Sequence, residues 1–202
     1  MIKNKEDYRF YLEADRIALG RSNKTSIRDF LIRRLIKGDE VWEFQKTLRK
    51  VEYLLSKGNG IITLINKALA YKKLHKLSIK LGFTISPGCF GPGLSIGHPG
   101  TLIVNSEARI GSNCRIHPCT VIGTQAGFSD KAAKIGDNVY IGPGTKIFGP
   151  INIADNIAIG ANSVVNKSFL DPGISIAGAP AVKISDKGSD GFIIKGSELA
   201  KT

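Results

Sequence analysis

The sequence predicts a mainly β fold: a parallel β-helix of hexapeptide repeats carrying an α-helical cap at its N-terminal end. Two observations lead there. Residues 1–82 hold no proline and five glycines, whereas all eight prolines and the other 18 glycines follow. From Val104 onward, aliphatic residues recur every six positions in two series: Val104, Ile110, Ile116 and Ile122, then Ile135, Ile141, Ile147, Ile153, Ile159 and Val165. The composition shift marks a boundary near Gly82. The expected division is an α-helical region over 1–82, a β-helix over 83–184 and a tail over 185–202.

Within the first part, apolar residues fall at three- and four-residue steps. Tyr8, Tyr11, Leu12 and Ile17 form one group; Phe30, Leu31, Ile32 and Leu35 a second; Val41, Trp42, Phe44, Leu48, Val51 and Leu54 a third. That spacing puts each group on one helix face and predicts three or four amphipathic helices. Gly20, Gly38-Asp39 and Gly58-Asn59-Gly60 separate them, because glycine and asparagine tolerate the left-handed conformation that ends a helix.

Within the second part, a small or β-branched residue stands four positions after most aliphatics: Ala108, Cys114, Thr120, Ala126, Val139, Thr145, Ile151, Ile157 and Ser163. Each hexad reads as one short strand and turn, and three hexads close a triangular coil of about 18 residues. Coils then stack at the strand spacing of about 4.8 Å, with the aliphatics inside. Neither an amphipathic helix nor an alternating strand produces a period of six.

The period breaks twice. Ile122 and Ile135 are 13 apart rather than 12, so a loop from Gly123 to Lys131 replaces or extends a coil. Ile96 precedes Val104 by eight, which puts a two-residue excess at His98-Pro99-Gly100. Loops thrown out of a rigid solenoid are where binding chemistry concentrates.

Charge and cysteines bound the function further. Of the net +12, +10 lies in residues 1–82 and +2 in the remainder. Such a skew suits a solvated basic surface, or contact with an acidic glycan or an anionic membrane face, ahead of nucleic acid. No run of about 18 apolar residues and no signal-peptide pattern occurs, so a cytoplasmic protein is expected, with peripheral membrane contact open to the basic cap. Cys89, Cys114 and Cys119 are odd in number and lack paired short spacings, which reads as reduced thiols and no zinc site.

The stretch Gly93-Leu94-Ser95-Ile96-Gly97-His98-Pro99-Gly100-Thr101-Leu102-Ile103-Val104, with the hexads after it, resembles the serine acetyltransferase branch of the hexapeptide acyltransferases. So does the closing Ala177-Gly178-Ala179-Pro180-Ala181-Val182-Lys183. The likeness covers residues 84–184. Tyr11-Leu12-Glu13-Ala14-Asp15-Arg16 and Leu48-Arg49-Lys50-Val51-Glu52-Tyr53 are similar to the shorter helical caps of serine acetyltransferase-like proteins encoded among polysaccharide genes.

The resemblance implies a left-handed coil, a homotrimer with active sites between subunits, acetyl-CoA as acetyl donor and no metal. It implies His98 as the general base, a role that suits an imidazole with its near-neutral pKa. It puts Thr124, Gly142, Pro143, Gly160 and Ala161 along the pantetheine groove and Lys183 near the CoA phosphates. Where serine enzymes carry an acidic residue before the histidine, this sequence has Gly97. Their arginine-histidine pair falls on Lys131-Ala132, and their orienting aspartate falls near Phe83 or Thr84. These departures point to a sugar hydroxyl of a capsular or surface polysaccharide precursor as acceptor, with serine O-acetylation the alternative and a non-catalytic trimeric scaffold the third reading. Removing the two-residue excess stacks His117 over Gly97, so it is either an outward turn residue or, with Lys131, a group that binds the acceptor or orients His98. His75 is the one histidine left, on a predicted helix.

Overall fold

The computed structural model describes residues 1–22 and 39–201. The expected helix around Phe30, Leu31, Ile32 and Leu35, and the Gly38 stop, lie outside the described residues. Three cap helices are described: α1 (Lys5–Ala18), α2 (Glu40–Leu55) and α3 (Ile61–Leu81). Asn4 caps α1, its Oδ1 accepting from the Glu6 and Asp7 amides, both at 2.8 Å, which satisfies two donors the helix itself cannot. Helix α3 ends on Gly82 at φ +75°, a left-handed residue at the expected boundary.

Beyond Gly82 the chain coils around three parallel sheets. One stacks β1 (Phe83–Ile85), β3 (Leu102–Val104), β6 (Thr120–Gly123), β9 (Lys146–Phe148) and β12 (Val164–Val165). A second stacks β4 (Arg109–Ile110), β7 (Lys134–Ile135) and β10 (Asn152–Ile153). The third stacks β2 (Ser95–Ile96), β5 (Arg115–Ile116), β8 (Tyr140–Ile141), β11 (Ala158–Ile159) and β13 (Ser175–Gly178), with β14 (Ala181–Ser185) antiparallel on its end. All ten aliphatics of the two series are buried, as are the small residues between them except Ala126, which is exposed in the loop.

The register explains both breaks in the period. Ile96 pairs with Ile116 rather than with Cys114, so two residues are extruded at the corner after β2. Ile116 pairs with Ile141, and Ile110 with Ile135. Ile122 and Ile135 are therefore consecutive inward positions. No coil is lost; the corner between β6 and β7 is extended by a loop pinched at its base, where Thr124 bridges Ala132 and the Gln125 amide donates to the Lys131 carbonyl at 2.9 Å.

A solenoid's first coil has open backbone groups that need partners. Here the cap supplies them through buried polar side chains that the periodicity did not reveal. Gln45 Nε2 donates to the Leu94 carbonyl at 2.7 Å, and its Oε1 accepts from the Ile96 amide at 3.3 Å. Asp15 Oδ1 accepts from the Gly93 and Leu94 amides at 2.9 and 2.8 Å. Arg49 joins Asp15 to Glu52 and donates to the Phe90 and Gly91 carbonyls. Burial by itself would lower the Arg49 pKa, but the Asp15 and Glu52 carboxylates raise it above its ordinary value, so it stays charged. Helix α1 accordingly buries Ala14, Asp15 and Ala18, while Tyr8, Tyr11, Leu12 and Ile17 stay partly open.

The tail expected over 185–202 packs along its own chain. It runs along the corner between the second and third sheets, where Asn113, Asn138 and Asn156, all at positive φ, hand side-chain hydrogen bonds from coil to coil at 2.9 and 3.0 Å. Ser189 binds the Asn156 and Asn138 carbonyls. The Ser197 amide reaches Asn113 Oδ1 at 2.8 Å, and the short α4 (Gly196–Leu199) closes against α1.

Candidate active site

His98 follows β2 on the corner between the third and first sheets, and its side chain is exposed on the single chain. The backbone beneath it is fixed on both sides. The Gly97 amide donates to the Ile116 carbonyl at 3.1 Å, and the Gly100 amide to the Leu81 carbonyl at 3.0 Å. Gly100 sits at φ +133°, and a Cβ there would lie 3.1 Å from Pro118 Cβ, so the extruded loop is pressed between the end of α3 and the next coil.

His117 stands where the register argument put it. A Cβ on Gly97 would come 3.2 Å from His117 Nδ1 and 3.3 Å from its Cε1, so the imidazole occupies the space a side chain at 97 would take. Burial lowers the His117 pKa, and the neighbouring charges of Arg115 and His98 lower it further, which ties the two imidazoles electrostatically. Its Nε2 is buried without a hydrogen-bond partner.

Along this corner the residues after each inward aliphatic are Gly97, His117, Gly142 and Gly160. Gly142 and Gly160 are demanded by close approach of the next coil, backbone at the first and a side chain at the second. A Cβ on Gly142 would lie 2.8 Å from both the Ala161 amide nitrogen and the Ile159 carbonyl oxygen; one on Gly160 would lie 2.8 Å from Ala177 Cβ. With exposed Pro143 and Ala161 they form a smooth strip leading away from His98. Such a strip could seat a slender, flexible acyl-carrying arm.

Thr124 and Lys131 belong to a different corner, the extended loop between the first and second sheets. Lys131 Nζ lies 3.4 Å from the centroid of the Phe128 ring, turned onto its own loop rather than towards His98. The tail corner is the third. One chain therefore brings together His98, His117, Gly142, Pro143, Gly160 and Ala161, and leaves Thr124 and Lys131 apart. Lys183, on β14, is ion-paired with Asp186 at 2.5 Å, which raises its pKa and leaves it less available to a phosphate. His75 is exposed on α3, away from the corner.

Cys89 and Cys114 are buried, Cys119 is exposed, and burial pushes the Cys89 and Cys114 thiols up, away from thiolate. Among the described residues no group of three His, Cys, Asp or Glu side chains could hold a metal ion. A cavity of about 620 Å³ lies under the cap beside Tyr11, Glu52, Cys89 and Arg109, and does not include His98.

Sequence reasoning missed three side chains at this site. Tyr140 packs its ring 5.1 Å from His117, Phe192 of the tail packs 5.3 Å from Tyr140, and Arg115 donates to the Phe192 carbonyl at 3.2 Å. Arg115 and Tyr140 precede inward isoleucines one coil apart and were findable from register. Nothing in the sequence ties Phe192 to them.

No protein-family profile matches the chain. Residue similarity runs to serine acetyltransferases: one from Arabidopsis thaliana mitochondria is 35% identical over 123 residues, 60% of this chain and 31% of that protein. One from Helicobacter pylori is 34% identical over 106 residues, 52% of this chain and 61% of its own length. The matched segment thus covers less than two thirds of either relative. Among solved structures, serine acetyltransferase of Brucella abortus in complex with coenzyme A aligns at TM-score 0.66 with 27% identity over 91% of this chain and 68% of that one. The Neisseria gonorrhoeae enzyme in complex with serine aligns at TM-score 0.67 with 28% identity, over 90% and 70%. The fold is a left-handed parallel β-helix with an N-terminal helical cap.

Proposed function

We propose that the chain is an acetyl-CoA-dependent O-acetyltransferase in which His98 takes the proton of an acceptor hydroxyl as its oxygen attacks the thioester carbonyl. The same imidazole returns the proton to the departing CoA thiolate, so that it ends the turnover as it began. The supporting observation is an exposed imidazole heading a glycine strip, on a fold whose solved relatives include a coenzyme A complex. The strip of Gly142, Pro143, Gly160 and Ala161 would carry the pantetheine arm. Thr124 and Lys131 lie on another corner, so they join this site only if an adjacent subunit supplies them, as in a homotrimer with shared sites.

The relatives favour serine as the acceptor: their names specify it, and one solved structure is a serine complex. A sugar hydroxyl of a surface-polysaccharide precursor is the second reading, and no relative's name supports it. One observation favours it: the space at position 97 is filled by the His117 ring rather than by a carboxylate that could grip an ammonium group.

Release of CoA thiol from acetyl-CoA, followed with serine, nucleotide sugars and oligosaccharides, tests both. Turnover with one acceptor class selects between them, and His98→Ala is expected to lower it by about 10² to 10⁴. No turnover with any acceptor overturns the enzyme and leaves the scaffold reading; turnover unaffected by His98→Ala overturns His98 as the base.

A further inference from the structure

We infer that the C-terminal segment around Phe192 is a positioning device for the active site: through Tyr140 it holds the His117 imidazole against Gly97, beside His98. The inference rests on the proposed acetyltransferase reading for its catalytic consequence, not for its geometry.

A histidine on a solenoid corner would ordinarily sample several rotamers in solvent. His117 is instead held on two sides. On one, the ring takes the space where a Cβ on Gly97 would come within 3.2 Å of its Nδ1; on the other, Tyr140 packs with a ring separation of 5.1 Å and a tilt of 54°. Tyr140 is covered in turn by Phe192 at 5.3 Å and 42°. Arg115, on the same strand that leads into His117, fastens the tail backbone by donating to the Phe192 carbonyl.

The tail itself is anchored on both sides of Phe192, at Ser189 on the asparagine ladder and at Ser197 on Asn113. Phe192 nevertheless remains 52% exposed. Burial alone does not account for its place; its recorded ring contact is with Tyr140.

The polar atoms in the column point to a role beyond packing. His117 Nε2 and Arg115 Nε are both buried without hydrogen-bond partners. Each such atom carries a desolvation cost that nothing in the column repays. An apolar side chain at 117 would avoid that cost, so an imidazole kept there is explained by what its ring does next to His98. The groups facing it are Arg115 and His98 on its own sheet and Tyr140 on the next coil; the tail segment above adds the uncharged Phe192, with Asp190 and Lys195 paired to each other at 3.3 Å.

The test is Phe192→Ala in the full-length chain, read by NMR of isotope-labelled histidine and by turnover. Without Phe192 the Tyr140 ring is free to move off His117 and relieve its burial, so the His117 resonance is expected to shift and its titration midpoint to rise toward the ordinary imidazole range. Turnover is expected to fall about tenfold, as displacements of a fraction of an ångström do near reacting groups, with the KM for acetyl-CoA unchanged. Phe192→Tyr should restore both signals. In a His117→Asn background, Phe192→Ala should cost nothing further. An unchanged His117 resonance, or an equal activity loss in the His117→Asn background, overturns the inference. Wild-type protein without turnover on any acceptor counts against the proposed function alone, because the NMR readout still decides whether the tail holds the ring.

Discussion

Replacing Arg49 with methionine removes the buried cation that the described residues place between cap and coil, while keeping a long apolar stem. Arg49 has no exposed side-chain surface and donates five hydrogen bonds: to both Asp15 oxygens at 2.8 and 3.2 Å, to Glu52 at 3.0 Å, and to the Phe90 and Gly91 carbonyls at 2.9 and 2.6 Å. After the change Asp15 keeps only the Gly93 and Leu94 amides, and Glu52 keeps the Gly88 amide. Two carboxylates are left buried without a counter-charge, which costs about 3 to 5 kcal/mol. For a chain of this size that corresponds to a fall in Tm of about 6 to 20 °C. Urea unfolding near neutral pH, at fixed protein concentration because assembly contributes to apparent stability, is the assay. Burial already pushes the Asp15 carboxyl up, so in the variant it takes a proton more readily and the deficit should shrink on acidification. A loss below about 1 kcal/mol, the range of exposed ion pairs, would refute the claim that this network holds the cap to the coil that carries His98.

Two further outcomes follow from the corner geometry. Gly142→Ala places a Cβ 2.8 Å from backbone atoms of the next coil, which cannot yield as a side chain would. It should lower stability by about 1 to 3 kcal/mol by overpacking and raise the KM for acetyl-CoA more than that for the acceptor, as steady-state kinetics would show. His117 is held below its ordinary value of 6.5, so as pH falls through that value the unfolded chain binds this proton before the folded one does. Stability should therefore drop on acidification in that window, and His117→Phe should flatten the slope of unfolding free energy against pH.

The repeat was legible because each inward isoleucine obeys one spacing rule, and the two exceptions marked the corners that carry His98 and the extended loop. Stacking of His117 on Gly97 followed from register alone. The loop was harder to size: Ile122 to Ile135 looks like nearly two hexads, and only the pairing of Ile110 with Ile135 shows it to be one hexad plus an insertion. Ala126 was misplaced inside for the same reason. Hydrophobic periodicity was blind to the docking of the cap, because Asp15, Gln45, Arg49 and Glu52 are polar residues at buried positions, fixed by contacts 34 to 79 residues away in sequence. The tail was expected over 185–202, but its docking was not legible, because single side chains, Ser189, Phe192 and Ser197, hold it with no repeat to announce them.

Stacked-coil proteins ordinarily come apart from an end, since each layer touches only its neighbours. In this molecule the last segment returns to the first helix: Gly196 lies so close to α1 that a Cβ there would meet the Ala14 carbonyl oxygen at 2.1 Å. The cap helix and the segment that follows the coil are thereby clasped to each other. Loss of structure should then proceed as one event rather than layer by layer.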